Sequence, residues 1–155
     1  MVKKRVIPLL VALIIVIIGV RGLTYFSKPP ENLGVVNGRL ADPPMSPNCV
    51  TSQVAPDRPE YIEPLKLPTD REDPIGDLAK TLNTLPRVTI ISKDQKYLHA
   101  ECRSLVLGFV DDLEFLRDDA QGVIQVRSAS RMGHSDLGVN RARVERIRKL
   151  WDAGS

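Results

Sequence analysis

The fold is decided by residues 87–130, RVTIISKDQKYLHAECRSLVLGFVDDLEFLRDDAQGVIQVRSAS. Four runs within this stretch alternate polar and apolar residues, namely 87–92, 97–104, 109–117 and 123–130. Polar turns or a glycine separate them. Alternation predicts β-strands, because successive side chains of a strand point to opposite faces of its sheet. The connections are short, so we expect neighbouring strands to run antiparallel.

A helix is predicted before the first of these strands. Asp73 and Pro74 suit its start, because aspartate caps the free N–H groups and proline is favoured at the first helical position. Pro86 then ends the helix. Its apolar stripe consists of Ile75, Leu78, Leu82 and Leu85.

A second helix is predicted after the last strand, with Asn140 as its N-cap. Its apolar stripe consists of Val144, Ile147, Leu150 and Trp151. Its basic residues, expected to face outward, are Arg141, Arg143, Arg146, Arg148 and Lys149. The order α-β-β-β-β-α predicts an α+β core domain over residues 73–155. We expect about four antiparallel strands with both helices packed on one face of the sheet.

The N-terminal sequence predicts a membrane anchor. Three bases, Lys3, Lys4 and Arg5, precede an apolar stretch, and residues 6–26 would form a helix of about 31 Å at ~1.5 Å per residue. That length matches a bilayer core of ~30 Å. The bases place residues 1–5 in the cytoplasm and the domain outside a bacterial inner membrane. A cleaved signal peptide remains an alternative, although no A-x-A cleavage pattern follows the apolar run.

The segment between anchor and core, residues 27–72, is rich in proline. Residues 29–74 hold ten of the twelve prolines, too many for a helix or a central strand. Apolar residues recur among them, so we expect an extended segment that wraps the domain. A disordered spacer over residues 29–45 is the alternative.

Composition excludes several functions. The 155-residue chain carries a net charge of +3, but residues 1–28 contain five bases and no acid, so residues 29–155 are slightly acidic. A domain that coats nucleic acid is therefore disfavoured. Two cysteines and two distant histidines exclude a four-cysteine zinc site and a histidine-rich metal centre. We predict neither a metal nor a cofactor.

Strand alternation also gathers charged side chains on one face of the predicted sheet, while Asp111 falls on the apolar face unless a bulge turns it away. The charged face holds Glu101, Arg103, Asp112, Glu114 and Arg127, with Arg131 just beyond. A solvated face with cross-strand ion pairs, a groove for a polar ligand and a catalytic carboxylate pair are all compatible with this pattern.

Three arginines near the last helix suggest an anion site. Arg127, Arg131 and Arg141 could converge on the N–H groups at the start of that helix. Internal ion pairs with Asp111, Asp112 or Asp136 are the alternative, and Asp136 itself could accept from N–H groups at the helix start. The predicted ligand-binding residues are Glu101, Arg103, Asp111, Asp112, Arg127, Arg131, Asp136 and Arg141.

The two cysteines have three open interpretations. Cys49 could be a nucleophile with His99 or His134 as its base. Cys49 and Cys102 could both be buried thiols. They could also form a disulfide, because an exported domain lies in an oxidising compartment.

Three strings together resemble the family catalogued as domain of unknown function 1499. They are SPNCV at 46–50, GFVDDLEF at 108–115 and RSASRMGHSDLGVNR at 127–141. The resemblance covers roughly residues 32–150 and implies a small bacterial protein with an exported or membrane-anchored start. It implies no reaction.

These observations favour a non-enzymatic envelope protein that is anchored through residues 6–26 and binds an anionic ligand or an envelope protein partner. No catalytic residue is predicted. The alternative is a hydrolase-like enzyme built on Cys49 or the acidic cluster.

Overall fold

The computed structural model describes residues 3–154. Residues 1 and 2 of the predicted cytoplasmic tail, and residue 155 of the predicted core domain, lie outside the described residues. The helices of the described chain are α1 (Lys3–Tyr25), α2 (Pro74–Asn83) and α3 (Val139–Ala153). Its strands are β1 (Cys49–Thr51), β2 (Leu65–Lys66), β3 (Val88–Lys93), β4 (Tyr97–Arg103), β5 (Val110–Asp118) and β6 (Val123–Ser130).

The strands form one antiparallel sheet in the order β1-β6-β5-β4-β3, and β2 also pairs with β6. The α+β class and the four predicted strands are confirmed. The predicted strand count is too low, because β1 and β2 add to the sheet from within the proline-rich segment.

Both α2 and α3 pack on one face of the sheet. Their apolar stripes meet the inward side chains of β4, β5 and β6 in one core, which includes Leu78, Ile147, Phe115 and Ile124. Leu150 does not belong to this core, because it is 39% exposed. Residues on one face alternate with residues on the other along each strand, as the sequence predicts.

One local prediction is wrong, and one alternative left open by the sequence is resolved. The N-cap of α3 is Gly138, whereas Asn140 lies inside the helix and is fully buried. No bulge turns Asp111 away from the helix-covered face, because β5 pairs regularly with β4 and β6 at that position. The helix-covered face therefore carries a carboxylate that needs a counter-charge.

The opposite face of the sheet is covered by the chain that follows α1. The amide of Gly34 donates to Glu114 Oε1 at 2.8 Å, and the carbonyl of Ser27 accepts from Arg131 Nη1 at 3.0 Å. Leu40, in the same segment, is only 3% exposed. The charged sheet face thus lies between the strands and an extended layer, and is not an open groove.

Helix α1 is mostly exposed and is not packed into the domain. Residues Ile7–Tyr25 have a mean hydropathy of 2.5, and only 6% of this apolar stretch is buried. The helix is long and apolar enough to cross a membrane, which is typical both of an anchor and of a signal sequence.

Candidate functional site

A buried ion network occupies the charged sheet face. Asp112, which is 1% exposed, lies 2.8 Å from His99 Nε2 and accepts hydrogen bonds from two nitrogens of Arg131. Arg131 also donates to Glu101 Oε1 at 2.6 Å. Burial alone would raise the pKa of Asp112, but the hydrogen bonds from Arg131 and His99 outweigh it and hold that pKa below its ordinary value.

A second buried cluster surrounds Glu114, which is fully buried. Its carboxylate accepts from Arg127 Nη1 at 2.9 Å, from the Tyr97 hydroxyl at 2.7 Å and from the Gly34 amide at 2.8 Å. Burial, together with this carboxylate, raises the pKa of Tyr97, so the phenol stays protonated. The charges of Glu114 and Arg127 balance each other in this cluster. The cluster stabilises the sheet and the segment around Gly34 that covers it.

The three arginines of the predicted anion site do not converge. Arg127 binds Glu114, Arg131 binds Asp112, and Arg141 Nη2 donates to the carbonyl of Pro59 at 2.7 Å. The start of α3 is capped instead by Asp136. Its two carboxylate oxygens accept from the amides of residues 138 and 140, at 3.1 and 2.7 Å. The chain's own carboxylate thus fills the place of an anion.

The counter-charge for Asp111 comes from Arg143, whose Nη2 donates to its carboxylate. Arg143 was expected to face outward, and this expectation is wrong. Beside the pair, Asn140 binds the Ser128 hydroxyl and the carbonyl of Asn48, joining α3 to β6 and to the proline-rich segment. A carboxylate on an apolar strand face was the one sequence signal that pointed to such an arginine.

A cavity of about 340 Å³ opens beside this ion pair, between α3 and the ends of β3 and β4. Its size falls in the ~300–1,000 Å³ range of small-molecule sites. Its apolar wall is formed by Leu85, Pro86, Val88, Val139 and Ala142, with Cys102 beside them. Its charged residues are Arg87, Arg103, Arg143, Arg146 and Asp111.

The cavity carries more positive than negative charge. Arg143 is neutralised by Asp111, and Arg103 pairs with Glu101 at 2.8 Å. Arg87 and Arg146 are exposed, and neither makes an ion pair with another described residue. Arg87 also has a backbone φ of 60°, a left-handed conformation that is costly for a non-glycine residue. The Arg87 Nε donates to the carbonyl of Arg103 at 3.2 Å, so its remaining donors and the Arg146 guanidinium lack a carboxylate partner. Such groups beside an apolar wall suit an anionic ligand with an apolar part.

A family model described as protein of unknown function (DUF1499) matches residues 39–150, which is more than half of the chain. The chain belongs to the DUF1499 family. The resemblance seen in the sequence is thereby confirmed. No curated protein and no solved structure matches the chain. The DUF1499 region includes every residue of the cavity wall, whereas α1 and Gly34 lie before it.

Of the three interpretations of the cysteines, the structure shows two buried thiols: both cysteines of the DUF1499 region are free and buried, and no Cys49–Cys102 disulfide is formed. Cys49 lies on β1 and Cys102 on β4, with β6 and β5 between them. Three steps of ~4.8 Å place them roughly 14 Å apart, well beyond the Cα–Cα range of a disulfide.

Neither cysteine is prepared as a nucleophile. Burial raises the pKa of each thiol to about 11. At neutral pH both therefore remain protonated, whereas attack requires the thiolate. The Cys49 thiol points to the carbonyl of Val50, and His99 is engaged with Asp112. Among residues 3–154, His, Cys, Asp and Glu side chains also form no group of three that could hold a metal.

Of the eight predicted ligand-binding residues, two line the cavity, namely Arg103 and Asp111. Arg87, Arg143 and Arg146 also line the cavity, although none of them was among the predicted ligand-binding residues. Arg143 and Arg146 lie on the polar side of the helical pattern, and Arg87 directly follows the helix-ending Pro86, so no local pattern distinguished them from solvent-facing residues.

Proposed function

We propose that the protein is a membrane-anchored binding domain of the bacterial envelope, and that its cavity holds an anionic ligand with an apolar part. In this proposal residues 6–26 cross the inner membrane once, residues 1–5 lie in the cytoplasm and the DUF1499 domain lies outside it. The role is binding without covalent chemistry, because the thiols are protonated and the buried carboxylates are neutralised.

Anchoring is supported by the surroundings of α1. Leu10, Leu13 and Ile18 are each more than half exposed, although they lie at different angles around the helix. A helix that is apolar on every side needs an apolar environment, which the domain does not supply. The bases at positions 3, 4 and 5 favour a cytoplasmic N-terminus.

The binding role depends on one observation, the basic and apolar cavity beside α3. Val88 and Val139 offer contact to an apolar group, while Arg87 and Arg146 offer charged donors that no described carboxylate satisfies. Arginine binds carboxylate and phosphate groups through two parallel hydrogen bonds. The best-fitting class of ligand is thus a carboxylate or phosphate attached to an apolar body.

Native mass spectrometry of the full chain, released from membranes in mild detergent, tests this proposal. We expect the wild-type protein to retain an anionic small molecule or lipid, seen as added mass. Ala142→Trp, which fills the cavity, and Arg146→Glu, which reverses its charge, should both abolish retention. Lys149→Glu is the matched control, because Lys149 is exposed on the same helix and does not line the cavity. Equal retention by all four proteins would refute the binding site.

A further inference from the structure

The sheet end next to α1 carries an unusual number of exposed apolar side chains. Two loops leave the sheet at this end, because β5 begins and β6 ends there and Asp111 pairs with Ser130. These loops are residues 104–109 and 131–138. The exposed apolar residues on or next to them are Leu105 (68%), Val106 (56%), Met132 (45%), Leu137 (93%) and Val139 (50%).

The first of these loops is fixed against the last turns of α1. Arg21 Nη1 donates to the carbonyls of Leu105 and Val106 at 2.9 and 3.0 Å. The Thr24 hydroxyl donates to the carbonyl of Leu107 at 3.0 Å, and Thr24 is only 1% exposed. Gly108 permits this approach, since it has a φ of 71° and a Cβ there would lie 3.2 Å from the Thr24 hydroxyl oxygen.

These contacts set the depth of the loop relative to the apolar helix. Arg21 lies four residues before the end of α1 at Tyr25, which is about 6 Å along the helix axis. The carbonyls of Leu105 and Val106 therefore lie level with the last part of the apolar span. In a bilayer that matches residues 7–25, this level is the boundary between acyl chains and headgroups.

Positive charge surrounds the same boundary. A groove of about 810 Å³ separates α1 from the sheet end, and Arg21, Arg87 and Arg103 line it. Tyr25 and Phe26 also line it and contact each other edge to face, with ring centroids 5.3 Å apart. Aromatic residues at the end of a span are typical of the membrane interface, and arginine guanidinium groups bind phosphates such as those of anionic headgroups.

We propose that this end of the domain rests on the outer leaflet of the membrane. Leu105 and Val106 insert among the acyl chains and Leu137 contacts the same surface. Arg21 and Arg87, the groove arginines that pair with no described carboxylate, bind anionic headgroups. This inference depends on the anchoring part of the proposed function and not on a ligand in the cavity. It assigns the exposed loops a partner, the lipid surface, that matches them in apolar character and in charge.

Site-directed fluorescence in the full chain tests the inference. The protein is reconstituted into vesicles of phosphatidylcholine and phosphatidylglycerol, with single cysteines introduced by Leu105→Cys or Leu137→Cys and labelled with a polarity-sensitive dye. Lipids with a nitroxide on the acyl chain serve as quenchers. Unsubstituted protein, labelled in parallel, measures any background from the buried native thiols.

Two further positions make the outcomes distinguishable. Leu13→Cys lies in the middle of α1 and reports the anchor itself. Ala120→Cys lies in the exposed turn between β5 and β6, at the far end of the sheet. We expect blue-shifted emission and loss of most fluorescence to the quencher at positions 13 and 105, a blue shift with weaker quenching at 137, and no change at 120.

Quenching at position 13 with water-like emission at 105 and 137 would overturn the inference and leave the anchor intact. Absence of quenching at 13 would overturn the anchor. Blue-shifted emission at 105 without quenching by the lipids would show that a protein, either a second copy or a partner, covers the loop, and this too would overturn the inference.

Discussion

Arg131 and Asp112 form a two-point ion pair: Nε of Arg131 lies 2.8 Å from Oδ2 of Asp112, and Nη2 lies 2.7 Å from Oδ1. The two side chains are 3% and 1% exposed. They belong to residues 19 positions apart in the chain, and the pair closes the charged sheet face beneath the segment that follows α1. Removing Arg131 would leave the buried Asp112 with His99 as its remaining partner, and removing Asp112 would leave Arg131 with Glu101.

The first prediction concerns the stability that depends on this pair. Arg131→Ala and Asp112→Ala should each lower the free energy of unfolding by about 3–5 kcal/mol, because each removes the two-point partner of a buried charge. Chemical denaturation of the full chain in detergent measures the loss. Arg58→Ala is the control, since Arg58 forms an exposed pair with Glu60 and should change stability by less than about 1 kcal/mol. Small losses from both buried variants would contradict a structural role.

The second prediction concerns acid. The pKa of Asp112 is lower in the folded protein than its ordinary value of 3.8, so the unfolded chain takes up this proton more readily. The stabilisation is then complete above about pH 5 and is lost as the pH falls through the folded-state pKa. The stability advantage of the wild type over Asp112→Asn should be large at pH 7 and should shrink below pH 4. Denaturation curves from pH 7 to pH 3 measure it, and a constant difference would contradict the assignment.

The strand and helix pattern of the core could be predicted from the sequence, because each element is long enough to show its own period. β1 and β2 could not, since three and two residues are too few for an alternation to be visible. Both strands are defined by distant partners on β6. These strands form because of their tertiary contacts with β6, and their local sequence does not predict them.

The surroundings of the charged sheet face could not be predicted from the sequence either. Alternation placed Glu101, Asp112 and Arg127 on one side of the sheet, which the strand register bears out. It could not show that the chain next to Gly34 covers that side, because the sequence of a strand does not indicate which segment packs on it. The cavity was missed for a related reason: its arginines come from a turn, a strand and a helix that meet only in the folded protein.

The third prediction concerns the thiols. Cys49 and Cys102 should resist alkylation at pH 8 in the native protein, because each is buried and has a pKa of about 11. After unfolding without reductant, both should react fully. Mass spectrometry counts the added groups. Failure to label the unfolded chain unless reductant is present would show a disulfide and would require a different pairing of the strands.

The fourth prediction concerns orientation. A reporter that is active only after export, fused after residue 155, should be active in intact cells, because the proposed topology has Lys3, Lys4 and Arg5 holding the N-terminus in the cytoplasm. Replacing all three with glutamate should reduce that activity, whereas the same replacement at Lys93, Lys96 and Lys149 should not. Membrane fractionation with N-terminal sequencing separates an anchor from a cleaved signal, which would yield a soluble chain that begins near residue 27.

The hydrogen bond from Arg131 to the carbonyl of Ser27 makes the connection between α1 and the domain short and fixed. Only two positions separate the end of α1 at Tyr25 from a carbonyl that is held by a buried side chain. In the proposed anchored state the domain and its span would turn and drift through the membrane as one rigid unit. In that state any partner would have to reach the domain at the lipid surface, because no flexible linker separates the domain from α1.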